Sequence, residues 1–365
     1  MSKKLITHII CAFSTILFLF HATPLSADIE VVDLPSTDEY FQAKVLSVKP
    51  HHPESTINHT NNIVQPYTIQ AISGSLFGKI FDVTQEAIKN IHPVKDIKVG
   101  DVIIIQKSDL NTPPFFIQDV YRLSRVVIVI LLFCLLVILL TGKKGVRAVA
   151  SLVLTFFIII SFIIPQIISG KSAFFVMLIG GSLILGSTLF VSHGWNLRTR
   201  IAFFSSLIAI ALASVLGWAT IFFTKLYGLG TEEAFFIQVG NLADINLKGL
   251  LLGSIIIGAI GVLDDVTMVQ VTTIEEMYNI DPNITQKNLH SKALKIGHEH
   301  IISMMNTLFI AYAGAMLPMF LFFGFQSNMS VPLWVKLNSE LIIEEVVRSI
   351  VGSTALVCSV PITTY

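Results

Sequence analysis

Two adjacent carboxylates are the side chains of this sequence best suited to chemistry. Asp264 and Asp265 interrupt an otherwise uncharged stretch from Gly249 to Gln270. An ionisable side chain at the centre of a membrane-spanning helix costs at least about 2.5 kcal/mol, so it needs a partner or a function. A rise of about 1.5 Å per residue places both carboxylates in the inner third of a bilayer, where they could simply mark the end of the helix. The functional alternative is a carboxylate that couples ion binding to transport.

Small residues recur along the same stretch at roughly helical spacing. Its helix-packing glycines are Gly249, Gly253, Gly258 and Gly261. A face of small residues lets a neighbouring helix approach closely. Since Asp265 lies on the same side of a helix as Gly258 and Gly261, we expect Asp265 to face the bundle. Asp264 is then displaced toward a neighbouring helix or the lipid headgroups.

Further polar side chains accompany the predicted helices. Thr267 follows the two carboxylates, and Asn306, Thr307 and Tyr312 lie in a later apolar stretch ahead of a proline. Kinked helices with polar neighbours are typical of a transport path. We therefore predict that these four side chains belong, with the two carboxylates, to a transport or coupling site.

Charges of both signs lie at the start of the last apolar stretch. Glu344 and Glu345 precede Arg348 at the spacing that brings side chains together on a helix. A structural ion pair among the three is the simplest interpretation. Substrate binding by the same residues is the alternative.

Familiar catalytic and metal-binding patterns are missing from the sequence. The run His298-Glu299-His300 lacks the spacing of zinc proteases. There is no phosphate-binding loop or hydrolase nucleophile elbow, and each of the three cysteines lies in an apolar run. We therefore expect no enzymatic activity, no cofactor and no bound metal.

The composition indicates the environment in which these residues lie. Charged residues make up 13% of the 365 residues, against about 25% in an average globular protein, and the mean hydropathy is +0.75. So few charges cannot cover a soluble surface, and 24 basic with 24 acidic residues leave no net charge to attract phosphates. The composition excludes a cytosolic enzyme, a disordered regulator and a nucleic-acid binder. The expected partners are the lipid bilayer and a small solute or ion, while the oligomeric state stays open.

The N-terminal part divides into an export segment and a polar region. Lys3 and Lys4 precede an apolar stretch that small residues follow, so residues 1–27 are predicted to be a signal peptide or an N-terminal anchor. Residues 28–120 contain short runs rich in Val, Ile, Phe and Tyr between glycine turns such as Gly100-Asp101. This pattern predicts a small extracytoplasmic β-rich domain, with a barrel of about five strands as one form of it.

Long uncharged stretches dominate residues 121–365 and predict an all-α polytopic membrane bundle of about seven transmembrane helices. The predicted spans are 126–140, 148–170, 172–196, 201–224, 249–270, 301–326 and 346–365. Export of the β-rich domain would put the C-terminus in the cytoplasm. The amphipathic segment 271–300 would lie on the same side, at the membrane surface.

Several short motifs follow one another along the chain. They are Gln65-Pro66-Tyr67, Gly100-Asp101, Gly261 to Thr267, Gly297 with His300-Ile301, Asn306-Thr307-Leu308, Ala311 to Gly314, Leu317-Pro318, Glu344 to Arg348, Gly352-Ser353 and Pro361. With them the sequence resembles the YibE/F family of bacterial multi-pass membrane proteins. The resemblance implies an exported N-terminal domain and a helical membrane domain of about seven or eight spans in the bacterial plasma membrane. It implies neither a reaction nor a substrate.

Two classes of function remain. The first is a transporter or permease of unspecified substrate, which is slightly favoured because seven spans exceed what an anchor needs. The second is a non-transporting envelope scaffold or sensor whose exported domain binds a partner. The sequence shows no inverted repeat and no carboxylate near the bilayer midplane, and both absences count against the first class.

Overall fold

The computed structural model describes residues 39–49, 62–88, 96–108, 115–240, 244–325 and 332–365. These residues form two compact units, one within residues 28–136 and the other within residues 137–365. The predicted signal peptide or anchor over residues 1–27 lies outside the described residues.

The first unit contains a five-stranded antiparallel sheet. Its strands are β1 (Glu39–Val48), β2 (Asn62–Ala71), β3 (Ile80–Ile88), β4 (Val102–Lys107) and β5 (Phe115–Val120). The order across the sheet is β3-β2-β1-β4-β5. Alternate residues of β1, namely Phe41, Ala43 and Val45, are buried, as expected of a strand with one face on a core.

The two edge strands of this sheet curl toward each other. The ring centroids of Phe81 on β3 and Phe115 on β5 are 4.6 Å apart, and Phe41 of the central strand packs edge-on against both. The sheet is therefore a small β half-barrel closed over an apolar core. The prediction of a β-rich domain of about five strands is confirmed.

The predicted turn at Gly100-Asp101 is also confirmed. The Asp101 carboxylate accepts hydrogen bonds from the backbone N–H of Lys98 at 2.9 Å and from the Arg125 guanidinium at 2.8 Å. These bonds hold the pKa of Asp101 below its usual range. The turn leads directly into β4, whose Ile103 and Ile105 are fully buried.

The rest of the described chain is helical. Its helices are α1 (Leu123–Thr141), α2 (Lys143–Ile158), α3 (Ile164–Ile168), α4 (Ala173–His193), α5 (Leu197–Thr224), α6 (Glu232–Val239), α7 (Leu247–Ile280), α8 (Gln286–Ala315), α9 (Leu317–Phe325), α10 (Leu333–Leu337) and α11 (Glu340–Thr364). A π-helical segment, Ile159–Ile163, joins α2 to α3. It lies directly before Pro165, which cannot donate a helical hydrogen bond and so disturbs the α-helical pattern.

Within the described residues, five helices are long and apolar enough to cross a membrane: α1, the continuous α2–α3 helix, α4, α5 and α7. The count of about seven spans is not confirmed. The predicted sixth span is broken at Met316, between α8 and α9, ahead of Pro318. The predicted seventh corresponds to α11, whose first three turns carry several charged residues.

Helix α7 lies at the centre of the bundle and packs against α4, α5, α8 and α11. A Cβ added at Gly253 would collide with Met177 of α4, and one added at Gly258 would lie 2.7 Å from the Tyr312 hydroxyl of α8. Gly249 has room for ordinary contacts, and no described atom lies within 4 Å of a Cβ at Gly261. Of the four predicted packing glycines, only Gly253 and Gly258 are therefore in close helix contacts.

The 34 residues of α7 give a length of about 50 Å, well beyond the roughly 30 Å of a hydrocarbon core. Its last turns pair with the start of α5, because Arg198 forms salt bridges with Glu275 and Glu276. The chain then turns at Asp281 and re-enters a helix at Gln286. This agrees with the helix break that Asp281-Pro282 predicts within segment 271–300, since proline cannot continue the helical hydrogen bonds.

Substitutions at two glycines of α7 test the packing. Gly253→Ala is expected to lower the free energy of unfolding by about 1–3 kcal/mol, since its Cβ overlaps the Met177 stem. Gly261→Ala is the matched control and should be neutral or stabilising, because alanine is the better helix former and the position is open. Thermal unfolding of both variants in detergent would measure the difference. Equal stability of the two variants would contradict the α4–α7 contact.

Candidate functional site

Two groups of polar side chains contact α7 inside the helical unit. We call the first the arginine cluster: Ser254 of α7, Tyr312 of α8, and Glu345 with Arg348 of α11. We call the second the aspartate cluster: Asp264 and Asp265 of α7 with Thr188 of α4. Five of the residues singled out in the sequence belong to these two groups: Asp264, Asp265, Tyr312, Glu345 and Arg348.

Arg348 is the centre of the arginine cluster. Its Nη1 donates to the Ser254 hydroxyl at 3.1 Å, and its Nη2 lies 3.3 Å from a Glu345 carboxylate oxygen. The side chains of Arg348 and Glu345 retain only 20% and 13% of their accessible surface. At about 1.5 Å per residue, Arg348 lies about 12 Å from the start of α11. The ion pair is thus well inside the bundle.

Tyr312 connects this cluster to the small residues of α7. Its hydroxyl lies against Gly258, and its ring is within electrostatic reach of Arg348 and Glu345. Asn306 and Thr307 lie elsewhere on α8, with both side chains exposed. The structure therefore brings one of the three predicted α8 residues into the cluster, and a role in transport for the other two stays a prediction.

Glu344 has a different partner from the one expected. The predicted ion pair of Arg348 with both carboxylates is corrected: the salt bridge joins Arg348 to Glu345. Glu344 is buried and accepts a hydrogen bond from the backbone N–H of Gly230 at 3.0 Å. Neighbouring helix positions differ by about 100° in direction, so the two carboxylates serve different contacts.

Glu340, one turn earlier on α11, was missed by the sequence interpretation. One of its carboxylate oxygens accepts from the backbone N–H groups of Tyr227, Gly228 at 2.8 Å and Leu229 at 3.3 Å. Together Glu340 and Glu344 bind the N–H groups of four consecutive residues, 227–230, and we call this arrangement the carboxylate clasp. It anchors the loop between α5 and α6 to α11.

The aspartate cluster is oriented opposite to the expectation. Asp264 is partly buried, and its carboxylate accepts the Asp265 backbone N–H at 3.0 Å. The carboxylate lies beside the Thr188 hydroxyl, which itself donates to the Leu185 carbonyl at 3.0 Å. Asp265 is exposed, within electrostatic reach of His193 at the end of α4. The prediction that Asp265 points into the bundle is wrong. Gly261 and Asp265 do share a side of α7, but that side is uncovered at both residues.

Thr267 and Gln270 hold α7 to its neighbours. Thr267 is fully buried, donates to the Leu263 carbonyl and is 2.9 Å from the Ser206 hydroxyl of α5. The Gln270 amide donates to the Ala293 carbonyl at 3.1 Å and to the Thr364 hydroxyl at 2.8 Å. Thr267 thus forms a helix–helix contact, and its predicted role in transport or coupling stays untested.

Ser254, Gly258, Gly261 and Asp265 lie at successive turns of α7, and we call them the small-residue face. Arg348 covers this face at Ser254 and Tyr312 covers it at Gly258. The face is open at Gly261 and ends at the exposed Asp265. Such an arrangement can exchange a proton or bind a cation between fixed charges. In the described part of the chain, no group of three His, Cys, Asp or Glu side chains is placed to hold a metal ion.

A family model described as YibE/F-like protein matches residues 129–365. The chain belongs to the YibE/F-like family. The match extends from α1 to the end of α11 and so contains both clusters of this YibE/F-like protein, while the β half-barrel precedes it. No curated protein and no solved structure matches the chain. Family membership and the five apolar helices agree with a multi-pass membrane protein.

Three contacting residues of this YibE/F-like protein had no distinctive sequence signal. Glu340 and Gln270 looked like ordinary helix residues, and Ser254 stood out only as a small residue spaced for helix packing, because the partners of all three are distant in sequence. Gln270 lay at the end of a predicted span, where a polar residue is unremarkable. The carboxylate clasp had one indication in the sequence. Glu340 and Glu344 are four residues apart and therefore lie on the same side of α11.

Proposed function

We propose that this protein is a transporter of the bacterial plasma membrane with seven spans, α8 and α11 being the sixth and seventh. In this proposal the β half-barrel lies on the extracytoplasmic side of the membrane, and the C-terminus lies in the cytoplasm. The substrate is a small solute or ion. No chemical step and no cofactor is involved.

One observation carries the proposal. A largely buried ion pair and a tyrosine lie on the small-residue face of α7, and this face ends at an exposed carboxylate. An arginine inside a membrane bundle is costly, and such residues mark ion or substrate pathways more often than they contribute to stability. Arg348 contacts Ser254 of α7 and Glu345 of its own helix, and it lies within electrostatic reach of Tyr312 on α8. Small residues along α7 allow neighbouring helices to shift against it without large steric barriers.

The roles of the residues follow from their positions. Asp265, which is exposed, receives the cation or proton from water, and Asp264 stabilises it with the Thr188 hydroxyl. Glu345 and Arg348 form an inner ion-binding site, and Tyr312 separates this site from the open part of the small-residue face at Gly261. Movement of the Tyr312 side chain away from Gly258 would connect the inner site with the open part of the face.

Water access to the small-residue face tests this proposal without knowledge of the substrate. In a background with Cys11, Cys134 and Cys358 replaced by Ala, single cysteines are introduced by the substitutions Ser254→Cys, Gly261→Cys and Asp265→Cys. Each is treated with a charged methanethiosulfonate in membrane vesicles of both orientations. Thiolates form in water and not in hydrocarbon, so we expect all three to react at least about tenfold faster than a cysteine shielded from water.

Two control positions define the shielded state. Ile256→Cys lies in the core of the bundle, and Ile208→Cys lies on an exposed apolar side of α5 that would face lipid. Reaction at Asp265→Cys alone, with Ser254→Cys as slow as both controls, would contradict the transport proposal. It would favour a non-transporting scaffold or sensor whose half-barrel binds a partner.

A further inference from the structure

A large groove lies at the end of the helical unit that carries the loop between α5 and α6. Its volume is about 1120 Å³, and it runs between α4, α5 and α7. The wall is apolar and aromatic, with Trp218, Phe222 and Leu252, and the mouth carries Lys225 and Lys248. We call this feature the lysine groove. It contains none of the residues of the arginine or aspartate cluster.

Both lysines are available to an anion. In the part of the chain that the structure describes, neither Lys225 nor Lys248 forms a salt bridge with a carboxylate. Lys248 instead places its ammonium group 4.5 Å from the centre of the Tyr227 ring. This cation–π contact holds the charge at the mouth of the groove without neutralising it.

The backbone at Lys225 supports a role for its side chain. Lys225 ends α5 in the left-handed conformation, with φ of 56°, and it is the one non-glycine residue of the described chain with positive φ. Glycine or asparagine adopts this conformation at lower cost. Lys225 thus lines the groove from a backbone conformation that carries local strain.

The apolar wall has the character of a surface for a hydrocarbon chain. The rings of Trp218 and Phe222 stack with an interplanar angle of 16° and remain mostly exposed. They form a flat strip along the outer side of α5 that leads to the lysines. A soluble anion would use the charged mouth and leave this strip unoccupied, whereas an amphipathic anion uses both.

We propose that the lysine groove binds an anionic phospholipid, with its phosphate at Lys225 and Lys248 and one acyl chain along Trp218, Phe222 and Leu252. Basic pockets between transmembrane helices bind the headgroups of anionic lipids. Each lysine near an anionic membrane surface is worth about fivefold in affinity. The proposal concerns a binding site separate from the transport function proposed above.

Trp218 provides a probe inside the groove. The full-length protein carrying Trp195→Phe and Trp334→Phe retains Trp218 as its one tryptophan. It is reconstituted into vesicles of phosphatidylcholine with a fixed small fraction of brominated phosphatidylglycerol or, for comparison, brominated phosphatidylcholine. Bromine quenches tryptophan on contact, so we expect at least about twofold more quenching by the anionic lipid, from the lysine contribution to affinity.

Charge substitutions test the assignment of the headgroup. Lys225→Gln and Lys248→Gln should each reduce the preference for the anionic lipid, and together they should abolish it. Lys171→Gln removes a charge from the loop before α4, outside the groove lining, and should leave the preference unchanged. Size-exclusion profiles in detergent confirm that each variant is folded before it is compared.

Three results would overturn the proposal. They are equal quenching by the two brominated lipids, an equal loss of preference in Lys171→Gln, and reversal of the preference by millimolar inorganic phosphate. The last would assign the lysines to a soluble anion instead of a lipid headgroup. Failure of the transport proposal would not affect any of these measurements.

Discussion

Replacing Arg348 with Leu is expected to lower the free energy of unfolding by about 3–5 kcal/mol, because Glu345 would keep a buried charge without its partner. The double replacement Arg348→Leu with Glu345→Leu removes both charges and should recover most of the loss. Denaturation in mixed micelles, with the folded fraction followed by size exclusion, would measure these changes.

A double-mutant cycle separates the two carboxylates beside Arg348. We expect a coupling energy above about 1 kcal/mol between Arg348 and Glu345, which are in contact, and nearly additive effects for Arg348 and Glu344. Glu344→Leu is the matched variant, since it removes the same chemical group one position away. Equal coupling to both carboxylates would support the three-residue ion pair predicted from the sequence and would contradict the structure.

The double variant Arg348→Leu with Glu345→Leu also tests the function of the ion pair. If this variant folds normally but loses transport, the pair has a binding role.

Replacing Glu340 with Ala is expected to release the loop between α5 and α6. Its carboxylate accepts three backbone hydrogen bonds there, and hydrogen bonds to charged groups contribute about 1.5–3 kcal/mol each. Hydrogen exchange at the amides of Tyr227, Gly228 and Leu229 should therefore accelerate by about 10- to 100-fold. The Gly230 amide, which Glu344 holds, should change less.

Two further variants define the cause of that release. Glu340→Gln keeps an acceptor oxygen but loses the charge, so its exchange rates should fall between those of the wild type and Glu340→Ala. Glu233→Ala on α6 removes an exposed carboxylate near the same loop and should leave the exchange unchanged. Unaltered protection of Gly228 in Glu340→Ala would show that the clasp does not form.

The sequence alone determined the class of the protein and most of its helices and strands. Few charges and long apolar stretches require a membrane environment, and that requirement places helices wherever about 20 uncharged residues follow one another. Short runs rich in Val, Ile, Phe and Tyr between glycine turns predicted the strands of the N-terminal domain. The turn at Gly100-Asp101 and the helix break at Asp281 are local effects of residue type, so they were also predictable.

Only the tertiary structure decided which polar groups meet. The rotation of α7 is set by its contacts with α4 at Gly253 and with α8 at Gly258. That rotation, which the spacing of the two carboxylates cannot reveal, turns Asp264 toward Thr188 and leaves Asp265 exposed. The partners of Arg348 and Glu340 are equally hidden, since Ser254 is 94 residues from Arg348 and Gly228 is 112 residues from Glu340. Helical periodicity relates neighbours within one helix, whereas the choice of partner on another helix depends on how the side chains of all the helices pack.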